Sequence, residues 1–291
     1  MGLEQKRYKI FVVFRSLRLT RPVKLEENII LYPFQKFGYE TIQSYIEKLI
    51  LFLELPKFNP ENWKKLWEDT NSKDFEVYDS SVLLIKNIQA NSKKEAWDKS
   101  FEKLEFIKFI LSLSRSCKLK YSIVIVVDEN KPTKYTLQIY EERPQIFSPV
   151  ENENDLSFIY KNLKEREVAR FYYDTYYNLL MQDNKIWIVS GWALLENLAE
   201  YNSFSGNSKN KIRKLLNKYE YFDKTKYKDN IDDIYKIRNN LVHGEKLDLN
   251  IISNRLSLEK IGGQVSNMVL YSLNNSFGIN VVFFKKEEIG S

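Results

Sequence analysis

One stretch constrains the fold of this chain more than any other: Ile231-Asp232-Asp233-Ile234-Tyr235-Lys236-Ile237-Arg238-Asn239-Asn240-Leu241-Val242-His243-Gly244. Asp229 and Asn230 supply an N-cap, Asp232 and Asp233 put negative charge in the first turn, and Gly244 stands where a helix ends in a left-handed residue. The spacing therefore predicts one short helix marked at both ends. At about 100° per residue, Ile231, Ile234, Tyr235, Ile237, Leu241 and Val242 share one arc, and Arg238 falls inside it. A buried guanidinium without a partner costs on the order of several kcal/mol, so Arg238 must meet a carboxylate, line a wet cleft or face another chain.

His243 is the only histidine of the 291 residues. By the same arithmetic it lies about 140° round the helix from Arg238, so one helix does not stack the two groups. An imidazole in this place suits proton transfer near neutral pH. In a purely structural reading, Arg238 is half of a buried ion pair and His243 a C-terminal cap.

These residues resemble the motif of the HEPN domains of prokaryotic and eukaryotic ribonucleases, and of the Apea-like group among them. That motif runs Arg, a polar residue, three more residues, then His, and Arg238-Asn239-Asn240-Leu241-Val242-His243 with Gly244 fits it. The resemblance implies a metal-independent endoribonuclease that leaves 2′,3′-cyclic phosphate and 5′-OH ends. It also implies a homodimer, and transfer RNA as substrate in anti-phage defence or a stress response. On this reading His243 moves the proton, Arg238 contacts the phosphate in the transition state and Asn239 orients by hydrogen bonding. The rival reading from another class is a catalytically inactive HEPN protein that binds nucleic acid or serves assembly. A toxin silenced by modification of a tyrosine just after the histidine expects His-x-Tyr, whereas position 245 is Glu245.

The length predicts two domains, residues 1–150 and 151–291, parted by the proline-bearing and then acidic run 143–154. The fold class expected is α+β: a mixed strand and helix domain, then an all-α HEPN-like bundle with a short strand at 280–284. In the first half, 8–19, 28–32, 121–127 and 134–140 read as strands, and 75–88 as a segment holding the apolar strand Val82-Leu83-Leu84-Ile85. A turn at Thr20-Arg21-Pro22 joins the first two. Thr41 to Leu55 has helical spacing, and Ser92-Lys93-Lys94-Glu95 is a capping box opening a helix with Trp97, Phe101, Leu104 and Leu111 at core spacing. No glycine-rich phosphate loop or catalytic constellation is present in this half, whose expected task is recognition or regulation.

In the second half Asp155 caps a long helix to about Met181. Its stripe shifts from Leu156, Ile159, Tyr160 and Leu163 to Val168, Phe171, Tyr172, Thr175 and Leu179, which predicts a bend near Glu165. Tyr173, Tyr176 and Tyr177 occupy a further face, as core, as subunit interface or as stacking platforms for bases. Lys185 to Tyr201 is apolar nearly all round and reads as the bundle's centre. Glu196 is its misplaced charge, and it is the partner expected for Arg238. Lys209, Lys211, Arg213, Lys214 and Lys218 crowd the next helix, as a solvated face or as RNA-phosphate contacts. A last helix, 257–275, is weakened by Gly262-Gly263.

Net charge is +6 with a pI near 9.0, which is compatible with a polyanionic partner. One histidine and one cysteine, Cys117, leave no zinc cluster and no internal disulfide, so neither metal nor cofactor is expected. No apolar run reaches the roughly 18 residues of a membrane span, and the expected setting is a reducing cytoplasm.

Overall fold

The computed structural model describes residues 5–15, 17, 19–35, 38–40, 42–56, 75–77, 80–113, 119–133, 135–139, 153–179, 182–225, 229–245, 255–279 and 281. The chain is α+β, with an antiparallel sheet in its N-terminal part and a helical C-terminal part. It divides into two compact units, residues 1–111 with 119–160, and residues 112–118 with 161–291. The expected boundary run, 143–154, lies almost wholly outside the described residues.

The first unit is built on strands β1 (Lys6–Arg15), β2 (Val23–Glu26), β3 (Ile29–Gln35), β6 (Ser80–Ala90), β7 (Tyr121–Asp128) and β8 (Tyr135–Ile139). They form one six-stranded sheet in the order β2-β3-β6-β1-β7-β8, with every neighbouring pair antiparallel. A separate two-stranded ribbon pairs β4 (Gly38–Glu40) with β5 (Phe75–Val77). At the centre, Val12 faces Leu83 on one side and Val124 on the other. Phe11, Val13, Val82, Leu84, Ile123 and Ile125 pack with Tyr45, Ile46, Leu49 and Ile50 of helix α1 (Ile42–Phe52). Ile10, Val12, Leu83, Ile85, Val124 and Val126 on the opposite face are buried as well. Burial on both faces explains why these strands read as continuous apolar runs without alternation.

Two sequence expectations change here. The turn at residues 20–22 does not lead straight into the second long strand. Val23–Glu26 forms a short edge strand hairpinned onto β3, and four residues are too few for a periodic signal. Helix α2 (Lys93–Leu113) opens as expected, with Glu95 N–H donating to Ser92 Oγ at 3.1 Å, but the Glu95 carboxylate accepts from Asn91 N–H at 2.9 Å. Its buried stripe is Ala96, Ser100, Leu104, Ile107 and Leu111, while Phe101 lies 44% exposed. Ser100 is accepted in the stripe because its hydroxyl donates to Ala96 O at 2.8 Å.

Helix α3 (Glu153–Glu165) gives way to α4 (Glu167–Leu179) at Arg166, next to the expected bend. The hydrogen bonds Arg166 N–H to Asn162 O and Arg170 N–H to Arg166 O carry the ladder through it. The stripe on α4 is a correction: Ala169, Tyr172, Tyr173 and Tyr176 are buried, whereas Val168 and Phe171 are 50% and 65% exposed. The tyrosines take the inner face because their hydroxyls find partners there. Tyr173 donates to Asn274 Oδ1 at 2.8 Å and Tyr172 to Asn197 O at 3.2 Å.

The second unit continues through α5 (Asn184–Tyr201), α6 (Ser208–Lys218), the single turn α7 (Tyr221–Lys224), α8 (Ile231–His243) and α9 (Arg255–Phe277). Asp183 caps α5, its side chain accepting from Lys185 N–H. Trp187, Ile188, Trp192, Leu194, Leu195, Leu198 and Ala199 of α5 are buried, as expected of a central helix. It meets α9 closely: a Cβ added at Gly191 would stand 2.7 Å from Val265 Cγ1, and one at Gly262 would stand 2.7 Å from Asn184 Oδ1. Close approach thus accounts for Gly262 in a helix that glycine weakens. Of the strand expected at 280–284 only Val281 is described, and it is not in a strand. No helix among the described residues is long and apolar enough to cross a membrane.

Candidate functional site

The motif residues all lie on α8. At its start Asp229 Oδ1 accepts from Ile231 N–H at 3.2 Å, so Asp229 makes the cap. Asn230 gives no side-chain cap; its amide exchanges two hydrogen bonds with Gln264, at 2.8 and 2.7 Å. At the far end Gly244 takes φ 68° and ψ 21°, and the N–H groups of Gly244 and Glu245 both return to Asn240 O. Only glycine enters that conformation without strain, which is why the helix stops there.

Ile231, Ile234 and Ile237 are fully buried. Ile237 packs on Ile188 of α5 with Leu241, Leu258 and Ile261 around them, and Tyr235 lies against Trp192 at 5.5 Å between ring centroids. Val242, expected in this arc, is 45% exposed because it falls about 80° from the centre of the three isoleucines. His243 lies opposite that centre and is exposed, and its imidazole makes no hydrogen bond to any described residue.

Arg238 is half-buried within the arc. Its Nη1 donates to Asn239 Oδ1 at 2.9 Å, and its Nε is buried without a partner. Among the described residues it meets no carboxylate, so the expected ion pair with Glu196 is not formed. The reason lies on α5. Glu196 and Glu200 are one turn apart and share a face, and Glu200 Oε1 takes Lys211 Nζ of α6 at 2.5 Å. Glu200 before all else, with Glu196 adding its field, raises the Lys211 ammonium above its ordinary pKa. Glu200 thus pairs with α6, and among the described residues neither acid of α5 pairs with the arginine of α8.

The basic residues of α6 divide into two groups. Lys209 Nζ reaches Asp232 Oδ1 at 2.5 Å. Arg213 Nε reaches Asp229 Oδ2 at 2.9 Å and its Nη2 reaches Asp232 Oδ2 at 3.1 Å. With Lys211, these three are engaged by carboxylates. Among the described residues Lys214 and Lys218 meet neutral acceptors, Ser205 O at 3.2 Å and Asn202 Oδ1 at 3.0 Å, and Lys218 also lies over the Phe204 and Tyr219 rings. Tyr173 and Tyr176, candidates for base stacking, are buried in the core.

Sequence reasoning assigned Asp229 and Asp232 to the cap and the first turn and missed that they receive two cations from α6. The spacing held the signal. Asp229 and Asp232 are three residues apart at one helix end, and Lys209 and Arg213 are four apart on a helix, so each pair presents one face. Comparison with protein families, with curated proteins and with solved structures finds no match for this chain.

Proposed function

We propose that this protein is a metal-independent endoribonuclease of the HEPN kind, acting on transfer RNA or another structured RNA in defence or stress response. The observation that carries the reading is Arg238: a guanidinium that meets no carboxylate among the described residues and keeps a buried orphan Nε, on the helix that ends in exposed His243. An uncompensated cation of this kind is suited to a phosphate oxygen and to the charge that gathers on it in the transition state. In the reaction the ribose 2′-OH attacks the adjacent phosphorus while the bond from phosphorus to the 5′ oxygen breaks. One proton leaves the 2′-OH and one is delivered to the 5′ oxygen, and His243 carries proton transfer. Asn239, bonded to Arg238, keeps the guanidinium turned to the reacting group. Lys214 and Lys218, whose charges no carboxylate among the described residues offsets, are the phosphate contacts we propose on α6.

Each chain has one histidine, about 140° from its own arginine on the helix, so the proposed enzyme is a homodimer that brings two copies of the motif to one cleft. Exposed Val168, Phe171 and Val242 supply apolar surface for the pairing. The same divergence favours the inactive RNA-binding module as the second reading. The two separate in one assay: purified protein and structured RNA in EDTA, wild type against His243→Ala. The exposed, unbonded imidazole makes the variant's stability change stay within about 0.5 kcal/mol, so activity alone reports. The expected loss of cleavage is about 100-fold or more, with 2′,3′-cyclic phosphate on the wild-type products. Equal cutting by both proteins, or none by either, removes the ribonuclease reading.

A further inference from the structure

We infer that Lys209 and Arg213 are positioning residues, a clamp that sets the bearing of α8 and through it the placement of Arg238 and His243; their role in catalysis rests on the ribonuclease reading. Four charges make the clamp. Lys209 and Arg213 both take Asp232, and Arg213 also forks onto Asp229 with Nε at 2.9 Å and Nη2 at 3.4 Å. Asp229 at the same time caps the helix through Ile231 N–H, so the clamp and the cap share one carboxylate.

The anchors of α8 are gathered at its N-terminal side. Ile231, Ile234 and Ile237 are buried there, while Leu241 is half-buried and Val242, His243 and Gly244 are exposed. Among the described residues the side-chain hydrogen bond of Arg238 goes to the next residue of the same helix and ties α8 to no other element. Past Ile237 the apolar hold among the described residues is half-buried Leu241, packed on Ile188 with Leu258 and Ile261, and His243 lies beyond it, roughly 16 Å along the axis from Asp232. A helix transmits orientation stiffly, so the bearing of that end is decided where the rod is held. The base it is held to is firm. Ile212, Leu215 and Leu216 of α6 are fully buried, and Ser208 Oγ accepts from Trp192 Nε1 at 2.7 Å. Asp229 and Asp232 raise the Arg213 guanidinium above its ordinary pKa, and Lys209 with Arg213 lowers the Asp232 carboxyl, as persistent pairing requires.

This assignment takes Lys209 and Arg213 away from the RNA, and the two roles give opposite results. The experiment compares wild type, Arg213→Gln, Asp232→Asn and the double variant in RNA cleavage at several salt concentrations, with melting temperature recorded. A clamp makes both single variants lose kcat by about tenfold or more with KM unchanged, because small misplacements of catalytic groups are costly. The double variant is then about as slow as either single one. If the two bases contact phosphate instead, Arg213→Gln raises KM and flattens its salt dependence, while Asp232→Asn frees both cations and lowers KM. That pattern overturns the inference, as does a lowered melting temperature with kcat and KM both unchanged. Amide hydrogen exchange at Asn240 to His243 decides the matter without activity. Faster exchange in both single variants supports the clamp, and wild-type exchange in them overturns it, even for a protein that cuts no RNA.

Discussion

The Arg238 guanidinium gives Nη1 to Asn239 Oδ1 at 2.9 Å and holds its Nε buried with no acceptor. Successive residues of a helix diverge by about 100°, so this bond bends two side chains toward each other and satisfies one donor without touching the charge. An orphaned buried donor costs about 1–3 kcal/mol, more when charged, and the fold carries that cost at this position.

Replacing Arg238 by methionine keeps most of the aliphatic stem and removes the orphan. Arg238→Met is expected to unfold at equal or higher denaturant concentration than wild type, by up to about 1 kcal/mol, while RNA cleavage is lost. Stability and activity moving in opposite directions is the mark of a residue kept for function. A variant destabilised by 2 kcal/mol or more, as about expected when one half of a buried pair is removed, would sink this view of the site.

How far the site was legible follows from what helix arithmetic can and cannot give. Bearings at about 100° per residue place Arg238 inside the buried arc of α8 and His243 away from it, and the structure has both there. The caps of the helix are written in Gly244 and Asp229. A bearing says which way a side chain points, but not which helix stands there. The sequence pairs Glu196 with Arg238 as the two misplaced charges of the bundle, whereas among the described residues that pair is not formed and Glu200, one turn on from Glu196, takes Lys211 of α6. On α4 Val168 and Phe171 depart from the expected stripe for a different reason. Hydropathy ranks Val168 and Phe171 as inner residues, yet Tyr172, Tyr173 and Tyr176 are buried, and the partners on α5 and α9 that accept the first two hydroxyls lie far off in sequence. In the first unit the apolar runs of β1, β6 and β7 were plain, and the four residues of β2 were too short to announce themselves.

The clamp has a pH signature. Lys209 first, and Arg213 after it, hold the Asp232 carboxyl below its ordinary value of 3.8. A carboxyl lowered in the folded state contributes stability that is fully present above the unfolded pKa and is lost as pH falls through the folded one. Asp232→Asn is therefore expected to melt below wild type near neutral pH, and the gap is expected to close as the pH drops below about 4. Melting curves of the two proteins across that range check it. A gap that stays constant down to acid pH would mean that the charge of Asp232 contributes nothing.

The contact of α5 with α9 gives the last prediction. A Cβ on Gly191 would lie 2.7 Å from Val265 Cγ1 and 3.1 Å from Trp187 Cε3, closer than packed carbon atoms come. Val265 is a fully buried β-branched residue in the body of α9, so its methyl cannot swing aside without a strained rotamer or a shift of the helix. Helix propensity alone would make Gly191→Ala stabilising by about 1 kcal/mol, since Gly191 lies inside α5. Overpacking costs about 1–3 kcal/mol and outweighs it, so Gly191→Ala is expected to lower stability. Adding Val265→Ala should then recover part of that loss, because the second change removes the methyl that the first collides with. Denaturant unfolding of wild type, both single variants and the double variant measures the coupling. Strictly additive losses would show that the two helices do not meet at Gly191, and α5 would then need another explanation for a glycine at its centre.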